Sequence, residues 1–109
     1  MKLNIYEKRE IVKTYEVDTY DLMFGTIEDV AAAVKLDDLE QGTDVEIIKM
    51  IGNLVLTSMD TIKDLLKDIF DGITDEELKH VKVKEIVQVL LEVINFTIKQ
   101  LNLGINEKN

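Results

Sequence analysis

This chain has no cysteine, proline or tryptophan, and only one histidine and one serine. Without cysteine there are no disulfides, no thiolate catalysis and no zinc–sulfur sites. Without proline, and with only five isolated glycines, no stretch reads as a hinge-rich linker or a low-complexity segment. Cations are scarce too: 13 basic residues stand against 22 acidic ones, a net charge of −9. A duplex-binding protein needs a cationic face to displace counterions from phosphate, so the excess of acid argues against nucleic acid and against an anionic membrane surface. The longest apolar run, Ile86 to Ile98, is interrupted by Glu92 and is too short to span a bilayer. The N-terminal "MKLNIYEKRE" lacks the apolar core of a signal peptide. The expectation is a soluble intracellular protein.

What remains is a globular composition, 46% hydrophobic and 32% charged over 109 residues, enough for one domain. "KLNIY" and "IVKTYEV" are β-branched, aromatic and alternating, with Leu3 and Ile5 on one face of the first segment and Ile11, Lys13, Tyr15 and Val17 on one face of the second. They predict an antiparallel hairpin over residues 2–17 around a four-residue "EKRE" loop. From Asp18 the period changes. Tyr20, Met23, Phe24, Ile27, Val30, Ala31 and Val34 follow helical spacing, with Asp18 or Thr19 as the cap and "KLDDLEQG" closing the segment.

Thr43 with Glu46 reads as a capping box opening a second helix. Its stripe is Ile48, Ile51, Val55, Met59, Ile62, Leu66 and Ile69, and Gly52 or "TSMDT" are the places where it can bend. A third long helix runs from Val83 to Leu103, and "GINEKN" reads as a glycine stop with a polar tail over 104–109. Ile86, Val87, Leu90, Val93, Ile94, Thr97 and Leu101 form its main stripe, widened by Val89, Leu91, Phe96 and Ile98. A surface this apolar is either the centre of the fold or a face shared with a partner. Leu90, Ile94, Phe96 and Leu101 are the candidate partner-binding face. The expected architecture is mainly α with a small N-terminal hairpin (α+β): three longer helices and a short connecting one in a single domain over 1–103.

The stretch most like chemistry is "FDGITDEELKHVKVKEI", Phe70 to Ile86, which holds the only histidine. A calcium EF-hand loop with Gly72 at position six would put Lys67 at one, Ile69 at three and Leu78 at twelve, so the spacing fails. His80 stands alone where a transition metal normally recruits two or more histidine or cysteine ligands. Ser58 has no flanking glycines to make a nucleophile elbow, and no glycine-rich phosphate loop exists. A structural corner accounts for every residue. Gly72 ends one helix in the left-handed region, Thr74 caps the next with Glu77 as its box partner, and Asp75 and Glu76 meet the helix dipole. The expectation is therefore no catalytic residue, no metal, no cofactor and no enzyme.

The order of segments carries a further signal. "KTYEVDTYDLMFGTIED", "GTDVEIIKMIGNLV" and "DTIKDLLKDIFDGITDEELKHVKVKEIVQVLLEVI" together resemble the tail assembly chaperones of long-tailed phages of Gram-positive bacteria. The resemblance runs from about Met1 to Leu103 and is strongest from Asp60 to Ile94. It rests on residue order, not on a catalytic signature. It implies a non-enzymatic protein of the host cytoplasm that binds the tape measure protein, keeps its apolar helices soluble and helps bring tail tube subunits to it. Such a protein is encoded just before the tape measure and is absent from the mature virion.

The resemblance also implies a longer product made by ribosomal frameshifting. Glu107, Lys108 and Asn109 can be encoded GAA-AAA-AAC, which contains the slippery run A-AAA-AAC, although such tails are also common in A-rich genes. Two other readings stand beside the chaperone. One is a structural particle component that self-associates through the same helices, as a homo-oligomer. The other is an acidic inhibitor of a host DNA-binding protein.

Overall fold

The computed structural model describes residues 1–34 and 44–106; for Val34, Asp44 and residues 100–106 it describes the backbone alone. The described chain is mostly helical with one two-stranded antiparallel sheet at its start, the α+β class expected. Strands β1 (Lys2–Glu7) and β2 (Glu10–Glu16) are joined by two residues, not four. Lys8 and Arg9 both have positive φ (51° and 74°), the pattern of a type I′ turn. That turn twists with the strands, and pairing up to Glu7 and Glu10 outweighs the strain of two non-glycine residues in the left-handed region.

The register corrects the sequence reading of β2. Leu3 faces Tyr15 and Ile5 faces Lys13, but Tyr6 faces Ile11, so Val12 is an extra, unpaired residue. This bulge shifts the alternation by one, and Ile11 leaves the Leu3–Ile5 face for the side of Tyr6. Leu3 and Ile5 are buried and Tyr15 and Val17 half-buried, while Ile11 and Val12 are exposed.

The first helix begins later than its periodicity suggests. Asp18 caps a single 3-10 turn, Thr19–Asp21, by accepting the Tyr20 amide at 3.0 Å, and Leu22 then turns extended (ψ 134°). Helix α1 (Phe24–Val34) starts afresh, with the Met23 carbonyl accepting the amides of Thr26 and Ile27. A strong local cap consumes the first turn. The "KLDDLEQG" closure (35–42) and Thr43, the proposed cap to Glu46, lie outside the described residues.

The expected long second helix is two helices, α2 (Asp44–Thr57) and α3 (Met59–Ile69). They break at Ser58 (φ −140°, ψ 50°), within "TSMDT", and α2 runs unbroken through Gly52. The Thr57 hydroxyl donates back to the Asn53 carbonyl at 2.7 Å, a competing bond that bends helices. Each half then buries its own face, Ile47 and Ile51 on α2 and Ile62, Leu65, Leu66 and Ile69 on α3. Ile48 and Met59, assigned to one continuous stripe, are exposed.

After the short helix α4 (Asp75–Leu78), helix α5 (Val83–Asn106) spans 24 residues, about 36 Å. It is the central element: α1, α2, β1 and the 3-10 turn all pack on it, while α3 packs on α1 and α2. Val89, Leu90, Val93, Ile94 and Thr97 are fully buried along it, and the Thr97 hydroxyl donates to the Val93 carbonyl. Gly104 does not stop the helix, which continues to Asn106; Glu107, Lys108 and Asn109 lie outside the described residues. A glycine needs a left-handed turn to act as a stop, and here its neighbours stay helical.

Candidate interaction surface

The corner from Phe70 to Ile86 has the local form its sequence suggests. Gly72 has φ 91°, and Thr74 and Glu77 make a reciprocal capping box on α4. The fold adds partners that no local pattern announced. Glu77 also accepts the Tyr15 hydroxyl at 2.7 Å and ion-pairs with Lys13 at 3.1 Å, both from β2. Those contacts, the Tyr15 bond foremost, outweigh partial desolvation and hold its carboxyl at about 2. Lys67 reaches Asp75 at 2.7 Å, which lowers that carboxyl and raises the lysine.

His80 is exposed, its Nε2 only 3.8 Å from Glu76. Its contribution comes from the main chain, where its carbonyl accepts the Tyr6 amide at 2.9 Å. Glu85, in the first turn of α5, accepts both the Asn4 amide and the Tyr6 hydroxyl, and that hydrogen bond to the carboxylate raises the phenol's pKa. The corner is thus a socket that clamps the hairpin onto α4 and α5. Among the described residues no three acidic or histidine side chains converge closely enough to hold a metal ion.

The candidate partner face on α5 does not stand open. Leu90 and Ile94 are 2% and 1% exposed, sealed beneath the other elements packed on α5. For these two residues the apolar stripe is the centre of the fold. Phe96 is half-buried, with its ring edge-on to Tyr20 at 6.1 Å and 87°; the side chain of Leu101 lies outside the described residues.

Exposed apolar surface gathers elsewhere. Tyr20, Met23 and Phe24 are 85%, 72% and 77% exposed, on the segment joining the hairpin to α1. Their periodicity fits one face of an amphipathic helix that would begin near Asp18. The 3-10 turn and the restart at Met23 rotate them out of that register. The segment stays tied to the fold by the packing of the 3-10 turn on α5, which includes the Tyr20–Phe96 contact, and by half-buried Leu22 against the core. The signal for this lay in "DTYD", where an aspartate cap favours a closed turn over a continuing helix. Val45, Ile48 and Leu56 are also exposed, at spacings that set them along one side of α2, followed by Met59 at the start of α3. Three large apolar side chains exposed within five residues of a strongly acidic chain are suited to holding another apolar chain.

Among the described residues no helix is long and apolar enough to cross a membrane. No protein-family model, curated protein or solved structure matches this chain.

Proposed function

We propose that this chain is a non-enzymatic assembly chaperone of the kind used by long-tailed phages. It binds the apolar helical segments of a tape measure protein in the host cytoplasm, helps tail tube subunits reach it, and leaves before the virion matures. The observation that carries the reading is the exposed Tyr20–Met23–Phe24 segment on a chain of net charge −9. The apolar side chains supply contact area for a client helix, and the acidic remainder keeps both partners in solution. The order of segments from Asp60 to Ile94, which resembles those chaperones, supplies the specific client.

Co-expression with the protein encoded immediately downstream tests this. The downstream product should be long and rich in helix, should co-purify with this chain, and should precipitate without it. Phe24→Glu should release it while far-UV circular dichroism stays unchanged, because Phe24 is already in water. A client held equally well by the Phe24→Glu variant refutes the assignment of the surface. Finding the protein in purified particles refutes the chaperone role in favour of a structural component.

A further inference from the structure

Helix α2 turns Ile47 and Ile51 inward, where it packs on α5 and α3, and leaves its opposite side exposed. On that side stand Val45, Ile48 and Leu56, the last 85% exposed, with Met59 just past the bend. Gly52 lies among them, also exposed, and a Cβ built there meets nothing within 4 Å. Glycine is the poorest helix former after proline, and no close approach among the described residues explains its place in α2.

The spacing is symmetrical. Counted from Gly52, Ile48 and Leu56 stand four residues to either side, and Val45 and Met59 seven. A two-fold contact requires a pattern that reads the same in both directions, because one patch must fit itself reversed. A partner of different sequence places no such demand. With the axis at Gly52, Ile48 of one copy meets Leu56 of the other, and Val45 meets Met59. The two glycines face each other at the crossing, where the lack of a Cβ lets the backbones come close.

Charge permits the contact here. Two copies of a chain of net charge −9 repel each other, yet Ile47 to Met59 contains no aspartate or glutamate and one lysine. The other exposed apolar segment, Tyr20 to Phe24, is hemmed by Asp18, Asp21, Glu28 and Asp29. Lys49 stands three residues from the axis, so the two lysines fall about 9 Å apart along it, a distance screened at physiological salt.

We propose that α2 is a self-association face: two copies of this chain pair through antiparallel α2 helices about a two-fold axis at Gly52. The stripe is about 21 Å long and half the girth of a helix wide, on the order of 350 Å² on each copy. That is less than half of the ~800 Å² per partner of a standard specific interface, so the pair is a weak, exchanging dimer. Tyr20–Phe24 takes no part in it, and this inference and the client reading therefore fail separately.

Sedimentation equilibrium of the full chain, from micromolar to near-millimolar, should give an average mass rising from one chain towards two. Raising the salt should tighten the pair by screening the mutual repulsion. Leu56→Glu should abolish the rise with an unchanged circular dichroism spectrum, and Phe24→Glu should leave the rise intact. Gly52→Gln should raise the melting temperature, because glutamine is the better helix former, yet weaken association roughly tenfold. The chain has no cysteine to compete with an introduced thiol, so cross-linking reads the register directly. Under mild oxidation Gly52→Cys should link to itself. Leu56→Cys should link only when mixed with Ile48→Cys, because two copies of residue 56 lie about 12 Å apart along the axis. A single-chain mass at every concentration, or a dimer that survives Leu56→Glu or dissolves in Phe24→Glu, overturns the proposal. Self-linking of Leu56→Cys as fast as that of Gly52→Cys overturns it too.

Discussion

Replacing Ile94 with alanine separates a core role for α5 from an interface role. Ile94 is 1% exposed at the middle of the helix on which α1, α2, β1 and the 3-10 turn converge. Truncation removes three buried carbons, about 2.4 kcal/mol at ~0.8 kcal/mol each. If half the lost volume, roughly 40 Å³, persists as a cavity, a further ~1 kcal/mol is lost at ~24 cal/mol per Å³. The expected cost is about 3–3.5 kcal/mol, a large share of the ~5–15 kcal/mol that stabilises a domain of this size. Urea titration followed by far-UV circular dichroism should show the midpoint falling with an unchanged slope, and the melting temperature should drop by about 10–15 °C. Partner binding below the new melting temperature should be retained. A loss under about 1 kcal/mol, or abolished binding at wild-type stability, would show that the α5 stripe faces a partner and that the core assignment is wrong.

Glu77 gives a pH prediction. Its carboxyl sits at about 2 in the folded chain against an ordinary 4.5, so its contribution is fully present above about pH 4.5 and is lost as pH falls towards 2. Asp75, also lowered, acts with the same sign. Glu77→Gln should therefore flatten the acid limb of the stability curve measured by denaturation at stepped pH, and an unchanged slope rules out the Tyr15–Lys13 clamp as its cause. At the hairpin, replacing Lys8–Arg9 with Asn–Gly places residues that tolerate positive φ in the turn and should raise stability by about 1 kcal/mol in a thermal melt. A destabilised double variant would mean the turn is not of type I′.

The α+β class, the hairpin, the Thr74–Glu77 box, the left-handed Gly72 and the apolar α5 were legible in the sequence because each depends on contacts within a few residues of chain. A threonine three residues before a glutamate, or a stripe at helical spacing, carries its physical cause with it. The errors fall where local preferences compete. Tyr20, Met23 and Phe24 satisfied helical spacing, yet Asp18 captured the Tyr20 amide and closed the turn early. Ile48 and Met59 fitted one stripe until Ser58 broke the helix, and Ile11 shared a face with Lys13, Tyr15 and Val17 until the bulge at Val12 shifted its strand.

Other features depend on groups far apart in sequence, and no periodicity encodes them. Glu77 receives Tyr15 across 62 residues, and Glu85 receives Tyr6 across 79. Whether α5 is core or interface was undecidable from its pattern, because burial inside a chain and burial against a partner select the same apolar spacing. For Leu90 and Ile94 only the packing of the other elements on α5 decided it.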